Sequence, residues 1–271
     1  MSADQVPAID VHAHYGRYDR QETTALENQF MTGDPAVVVA RARQARTALS
    51  VVSPLKGLFP RGQADAVAGN EEAAEVVPHF PELRYWVIVH PLQPRTYDQA
   101  RLLLATPQCA GIKIHPEEHQ YPIAEHGTAL FTFAAEQEAV VLAHSGDPLS
   151  APAAYLPFAD AFPRVSVILA HLGNGGAAGG RPDLQVQAIQ ASRHGNVYTD
   201  TSSARSLMPG LIEWAVAQVG AERLLYGTDT PLYFAPSQRA RIDCAELSDT
   251  ERRLILRDNA LRLLGPKIAS D

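Results

Sequence analysis

Two histidines one residue apart, His12 and His14, lie in the stretch AIDVHAHYG. Side chains two apart on a strand point to the same side. If the stretch is a strand, both imidazoles can reach one ion. Four more of the ten histidines stand at or next to the end of a short apolar run: His90 in RYWVIVHPL, His115 in GIKIHP, His144 in AVVLAHSG and His171 in VSVILAHLG. LLYGTDTPL does the same with Asp229. Imidazole nitrogens and a carboxylate are a good donor set for a divalent transition metal. Polar groups buried at strand ends are costly without a partner, and a shared metal supplies one.

The elements that must carry these residues recur along the whole chain. ALSVVSPL and NVYTDTS complete a set of eight strand-like runs rich in Val, Ile and Leu, each followed by a polar or glycine-containing stretch. Between them, Ala-rich helical patterns cover residues 36–47, 70–79, 97–105, 130–138, 153–161, 182–193 and 207–219. A last helix over 248–265 opens with Ser248 and Glu251 in capping-box spacing and closes on Gly265. Eight strands alternating with helices in 271 residues match one (β/α)₈ TIM barrel, spanning 1–271 as a single domain, although an open doubly wound sheet uses the same alternation. In a barrel, the C-terminal strand ends converge on one mouth, which would gather the six histidines and Asp229.

Composition narrows the classes of partner. The chain is 46% hydrophobic and 20% charged, with a formal net charge of −7 and no cluster of Lys and Arg able to neutralise a row of phosphates. Nucleic acid and anionic membrane surfaces are therefore not expected partners, and a small molecule is. Cys109 and Cys244 have neither metal-motif nor redox-pair spacing, which suits a reducing cytoplasmic setting. The start, MSADQVPAIDVHAHYG, has no basic segment followed by an apolar run, and nothing approaches the ~20 apolar residues that span a bilayer. The glycine-rich GNGGAAGGRPD lacks the Lys-Ser/Thr of a phosphate loop and the spacing of a dinucleotide fingerprint, and reads as a mobile loop over the mouth.

With these pieces in order, the chain resembles the amidohydrolase superfamily, and within it the amidohydrolase-related group of metal-dependent TIM-barrel enzymes. The resemblance runs essentially end to end through IDVHAHYG, GIKIHPEEHQYP, VVLAHSGDP, VSVILAHLGNGG, NVYTDTSS, LLYGTDTPL and NALRLLG. It implies that His12, His14, His144 and Asp229 hold one metal ion and that His171 is the catalytic histidine beside it. Asp229 would also accept a proton from a metal-activated water, the nucleophile for hydrolysis of a small ester, lactone or amide. Zinc is the first choice for this imidazole-rich nitrogen and oxygen set, and manganese suits it too. A second use of the same site is decarboxylation or hydration of a carboxylated ring or ring-opened acid. The resemblance is compatible with a homodimer.

Other residues join the site by position. Lys113 on the fourth strand is expected one layer below His115, in a buried ion pair with Asp10 or another deep carboxylate; the alternative is a carboxylated Lys113 anchoring a second metal. His115, His119, Tyr121 and Arg17 are candidates for substrate contact, with Arg20 beside Arg17 also placed to meet an acidic group. Asp200, Ser202 and Ser203 are expected near the mouth without being essential. A metal-dependent nuclease would want a glutamate where this chain has Lys113 and His115. A barrel with a merely structural metal would not need all five expected positions filled.

Overall fold

The computed structural model describes residues 6–268. Among them, the strands are β1 Ala8–Tyr15, β2 Thr47–Pro54, β3 Leu83–Ile88, β4 Cys109–Ile114, β5 Val141–Ala143, β6 Val167–Leu169, β7 Val197–Asp200 and β8 Leu224–Leu225. They lie side by side in chain order, every pair parallel. A doubly wound sheet reverses its strand order at a switch point, so this order excludes it. The ring closes through backbone bonds between β1 and the segment after β8. Val11 N donates to Tyr226 O at 2.9 Å, Asp229 N to His12 O at 2.7 Å and His14 N to Thr230 O at 2.6 Å. The architecture is a TIM barrel with its helices outside.

Alternation along the short strands separates two packed layers. Leu142 of β5 and Ile168 of β6 join Ile9, Val11, Val51 and Trp86 in one buried cluster. Their neighbours Val141, Ala143, Val167 and Leu169 pack instead with Leu130, Phe131 and Phe133 of the helix Ile123–Glu136. Strands buried on both faces read as continuous apolar runs, which is why these segments were legible. Trp86 fills the barrel, donating from Nε1 to Val11 O at 2.9 Å. A Cβ on Gly111 would meet Trp86 Cζ3 at 2.7 Å and Val140 O at 2.6 Å, so β4 needs a glycine there.

The helices fall where the patterns place them, with shifted ends. The patterns at 36–47 and 207–219 become Pro35–Gln44 and Leu211–Val219. Ser248 and Glu251 form the expected capping box, but the closing helix is divided: Asp249–Arg253, a π-helical turn Leu254–Asp258, then Asn259–Leu264. Tyr226 N donates to Ile255 O, an outside donor entering the helical ladder at that turn. The helix Ala25–Phe30, in the long loop after β1, has no apolar face because it buries none of its residues, and its one local signal is the Thr24–Glu27 capping box. The helix Ala235–Asp243 also lay outside the expected set. The glycine-rich 173–183 loop is tied to the loop after β5, through Ala177 N to Gly146 O and Asn174 Nδ2 to Ser145 O. Among the described residues no helix is long and apolar enough to cross a membrane. Residues 1–5, on which the expectation about the chain's start partly rests, lie outside the described residues.

Candidate metal centre

β1 ends with His12 and His14 buried at the mouth, and hydrogen bonds assign their ring nitrogens. His14 Nδ1 lies 3.1 Å from Ser53 O at the end of β2 and can only donate to that carbonyl. Its Nε2 keeps a lone pair, 3.0 Å from Asp229 Oδ1. His12 Nδ1 donates to Asp200 Oδ2 at 2.9 Å, leaving Nε2 at 3.6 Å from the same Asp229 oxygen. The three donor atoms lie within 4.8 Å of one another in a fully buried setting. Acceptors converging this way repel one another unless cationic charge sits among them; the Lys113 ammonium, 2.9 Å from His12 Nε2, supplies part of it, and a divalent ion held here would take its place. The remaining ring N–H of each histidine is spent on a carbonyl or carboxylate, as is usual for metal-ligating imidazoles. The chemistry of this donor set therefore fits a divalent ion.

A second chain of contacts runs beside this set. Ser202 Oγ lies 2.8 Å from His171 Nδ1 and 3.0 Å from His12 Nδ1, and donates to Asp200. His171 Nε2 lies 3.1 Å from His144 Nδ1, and His144 Nε2 lies 2.7 Å from Asp147 Oδ2. His144 is thus one ring away from the His12–His14–Asp229 group rather than inside it. Asp200 is a hub, accepting from His12 Nδ1, the His171 and Ser202 backbone N–H groups and the Ser202 hydroxyl. Its buried carboxylate holds the His12 imidazole directly and reaches that of His171 only through Ser202, a larger part than its expected place near the mouth. His171 and Asp229 both adopt positive φ, 70° and 56°. Such backbone strain in residues other than glycine persists only where the surroundings impose it, and it clusters at functional sites.

Burial sets the protonation states here. It holds the His12 and His171 imidazoles well below the ordinary histidine range, aided by Lys113 at His12, so both are neutral near pH 7. Burial alone would raise the Asp229 carboxyl, but the imidazoles of His14, His171 and His12 around it outweigh burial and hold it ionised.

Lys113 departs from expectation. Its Nζ reaches up to donate to His12 Nε2 at 2.9 Å, entering the ligand layer. Asp10 is instead saturated by the His12 and Thr228 backbone N–H groups and the Thr228 hydroxyl. Burial raises the Asp10 carboxyl to about 7 and lowers the Lys113 amine to about 8. The expected Asp10 ion pair is therefore replaced, because three closer donors claim the carboxylate and four methylenes let the amine bypass it.

The mouth encloses a cavity of about 360 Å³. His14, His115, His144, His171 and Asp229 line its polar side, while Tyr18, Leu58 and Phe59 supply an apolar wall. His115 stacks on His144 with ring centroids 4.0 Å apart. His119 does not line this cavity: its Nε2 donates to Gly57 O at 2.9 Å and its ring stacks on His90 at 4.2 Å. Tyr121 is buried with that stack, 5.7 Å from His90. Arg17 points to solvent, 82% exposed and paired with Asp19. Arg20, three residues on, reaches the mouth in its place and contacts Glu118. The Arg20–Glu118–Arg61 cluster and the Tyr18–Phe59 wall escaped sequence reading, since each joins loops far apart in the chain.

The amidohydrolase family model matches residues 9–265. No curated protein sequence matches the chain significantly. Solved structures match it at low identity over nearly the whole length. The 2,6-dihydroxybenzoate decarboxylase from Rhizobium is 13% identical with a TM-score of 0.73, covering 95% of this chain and 97% of its own. A dihydroxybenzoic acid decarboxylase from Polaromonas sp. JS666, with bound manganese and the inhibitor 2-nitroresorcinol, is 14% identical with a TM-score of 0.72, covering 97% and 98%. The 5-carboxyvanillate decarboxylase from Sphingomonas paucimobilis is 14% identical with a TM-score of 0.69, covering 96% and 99%.

Proposed function

The chain belongs to the amidohydrolase family, and from that premise we propose that it is a metal-dependent decarboxylase of a small aromatic carboxylic acid. The observation that carries this reading is the shape of the mouth: a cavity of about 360 Å³ with an aromatic wall facing a histidine and carboxylate cluster. That wall suits the flat face of one ring, while the cluster suits a divalent ion and an anionic group. The three decarboxylases similar to this chain support it. Hydrolysis of an ester, lactone or amide becomes the second reading. It keeps one observation in its favour, since an ionised Asp229 beside a neutral His171 suits proton acceptance from water.

His12, His14 and Asp229 would hold the ion, with His144 the adjacent fourth donor. Manganese and zinc both suit these donors, and manganese is the ion bound in the Polaromonas relative. When bound, the ion supplies positive charge that orients the substrate's carboxylate. Tyr18 and Phe59, whose rings lie 4.8 Å apart, seat the ring and exclude water from that side. As the ring–carboxyl bond breaks, its electron pair stays on the ring carbon, carbon dioxide leaves and a proton must arrive. The neutral His171, tied through Ser202 to Asp200 and facing the mouth, is placed to relay that proton from water to the ring carbon through a ring nitrogen.

The test is a panel assay on protein depleted of metal and reloaded with manganese or zinc. 2,6-Dihydroxybenzoate, 5-carboxyvanillate, simple lactones and aryl esters are supplied, and carbon dioxide and acid release are followed together. Carbon dioxide from an aromatic acid, dependent on metal, is expected. Turnover confined to esters or lactones overturns decarboxylation in favour of hydrolysis. Metal content read on the same sample is expected at one equivalent per chain, and two would move Lys113 into a second metal site.

A further inference from the structure

The glycine-rich stretch 173–183 is built around one carboxylate. Gln185, fully buried on the helix Leu184–Ala191, pins the start of the loop by accepting from Gly173 N at 3.3 Å and donating to Asn174 O at 2.9 Å. From there the loop packs against the segment after β5. A Cβ on Gly146 would meet Asn174 O at 2.4 Å, and one on Gly176 would meet Asp147 Oδ1 at 2.5 Å. Glycine at both positions lets the two backbones close on each other, with Ala177 N donating to Gly146 O at 2.7 Å.

What this clasp holds is the side chain of Asp147, on the lining of the mouth. Its Oδ2 accepts from Asn174 Nδ2 at 3.2 Å on the loop side and from His144 Nε2 at 2.7 Å on the other. A carboxylate offers no proton, so His144 donates from Nε2 and its Nδ1 keeps a lone pair. That Nδ1 lies 3.1 Å from His171 Nε2. The same division holds at the end of β1, where Asp200 and Ser53 O take the Nδ1–H groups of His12 and His14 and leave each Nε2 its lone pair. All three imidazoles thus have one nitrogen fixed by an oxygen. For His144 that oxygen stands three residues on, and a loop from beyond the next strand braces it.

We propose that Asp147 is a positioning residue of the metal centre: it fixes the tautomer and ring of His144 so that Nδ1 serves as a donor to the ion, and the glycine-rich loop is the cradle that keeps its carboxylate in place. This rests on the reading that His144 is the fourth donor beside His12, His14 and Asp229. It goes beyond that set by giving the affinity for the ion a determinant outside the donors, part of it on the loop after β6.

Manganese affinity, measured on the metal-depleted protein by competition with a chelator, tests this without any turnover. Partners of ligating histidines typically carry about tenfold to a hundredfold in metal affinity, so Asp147→Ala is expected to weaken binding by about that much. Asp147→Asn, which keeps an oxygen for the His144 Nε2–H, is expected to retain part of it. Gly176→Ala, which presses on the carboxylate and touches no donor, is expected to weaken binding less than Asp147→Ala. Asp147→Leu repeats the comparison if the alanine variant does not fold. The deciding measurement is the pair: in a His144→Ala background Asp147→Ala is expected to cost less than about threefold more, since a residue acting through His144 has nothing left to position. A larger loss in that background overturns the proposal and marks Asp147 as a brace of the mouth at large. So does an Asp147→Ala protein that binds manganese within about threefold of wild type while His144→Ala weakens it. Unchanged affinity in Gly176→Ala overturns the cradle. If His144→Ala itself leaves affinity unchanged, the four-donor reading falls and the proposal with it. If the coupling is found yet no aromatic acid loses carbon dioxide, the positioning role stands and the decarboxylase reading falls.

Discussion

His12 and His14 end β1, His90 follows β3 and His119 follows β4, and all four are buried in the same barrel. Around the first pair, each ring spends one N–H on a carbonyl or carboxylate and turns its other nitrogen toward Asp229. In the second pair the bonds go to backbone: His119 donates to Gly57 O and His90 Nδ1 accepts from Leu92 N. The two rings then stack on each other. A histidine at the end of an apolar run is thus an ambiguous sign. What separates a candidate metal ligand from a packing element is a carboxylate brought in from a distant part of the chain.

The contrast can be broken most sharply at Asp229. Asp229→Asn is expected to lower bound metal and to slow turnover by on the order of a hundredfold or more, read by metal analysis and steady-state kinetics. Full metal content in that variant would remove the mouth set's distinguishing feature. His171→Ala is expected to cost about a hundredfold in rate while leaving metal content intact, because the His171 ring nitrogens face Ser202 and His144 rather than the His12–His14–Asp229 donors. Asp200→Asn sharpens the role of the hub: metal affinity against a competing chelator is expected to fall by about tenfold to a hundredfold.

For the stacked pair the expected effect is on stability. His119→Phe leaves Gly57 O without its donor and is expected to cost about 1–3 kcal/mol in urea unfolding, with metal content unchanged. Metal loss there would erase the distinction between the two sets. The same pair predicts a pH slope. Burial lowers His90 to about 4, and burial together with His90 lowers His119 to about 3, against 6.5 in the unfolded chain. As pH falls below about 6.5 the unfolded chain takes up protons that the fold refuses. Stability should therefore drop toward pH 4 by up to about 1.4 kcal/mol per pH unit per histidine, with no contribution above 6.5. His119→Phe should remove one of these two slopes. Smallest of all, Arg17→Ala is expected to change stability by less than about 0.5 kcal/mol and activity by less than about twofold, given its exposure.

Much of the fold was legible because parallel strands buried on both faces are written as short continuous apolar runs. Those runs marked where β1, β4, β5, β6 and β8 end, and so brought His12, His14, His115, His144, His171 and Asp229 to one mouth. Short helices with no buried face, such as Ala25–Phe30, leave no such record. Long side chains were the harder cases. Lys113 was placed by its Cα and landed elsewhere by its reach, and Arg17 and Arg20 looked equivalent until the loop around them folded.

By itself, the sequence determined the alternation of strands and helices, the strand ends and the residue types found there, since local periodicity and apolar burial set both position and height along each strand, while the closure into a barrel rests on the strand order. The tertiary structure alone decided where each lone pair and charge points. Ser53 and Asp200 turn two imidazoles toward Asp229, Gly57 turns another away, and Glu118 draws Arg20 to the mouth. These partners are tens to nearly two hundred residues apart in the chain, and hydrogen-bond direction is a property of the assembled neighbours that no local pattern carries.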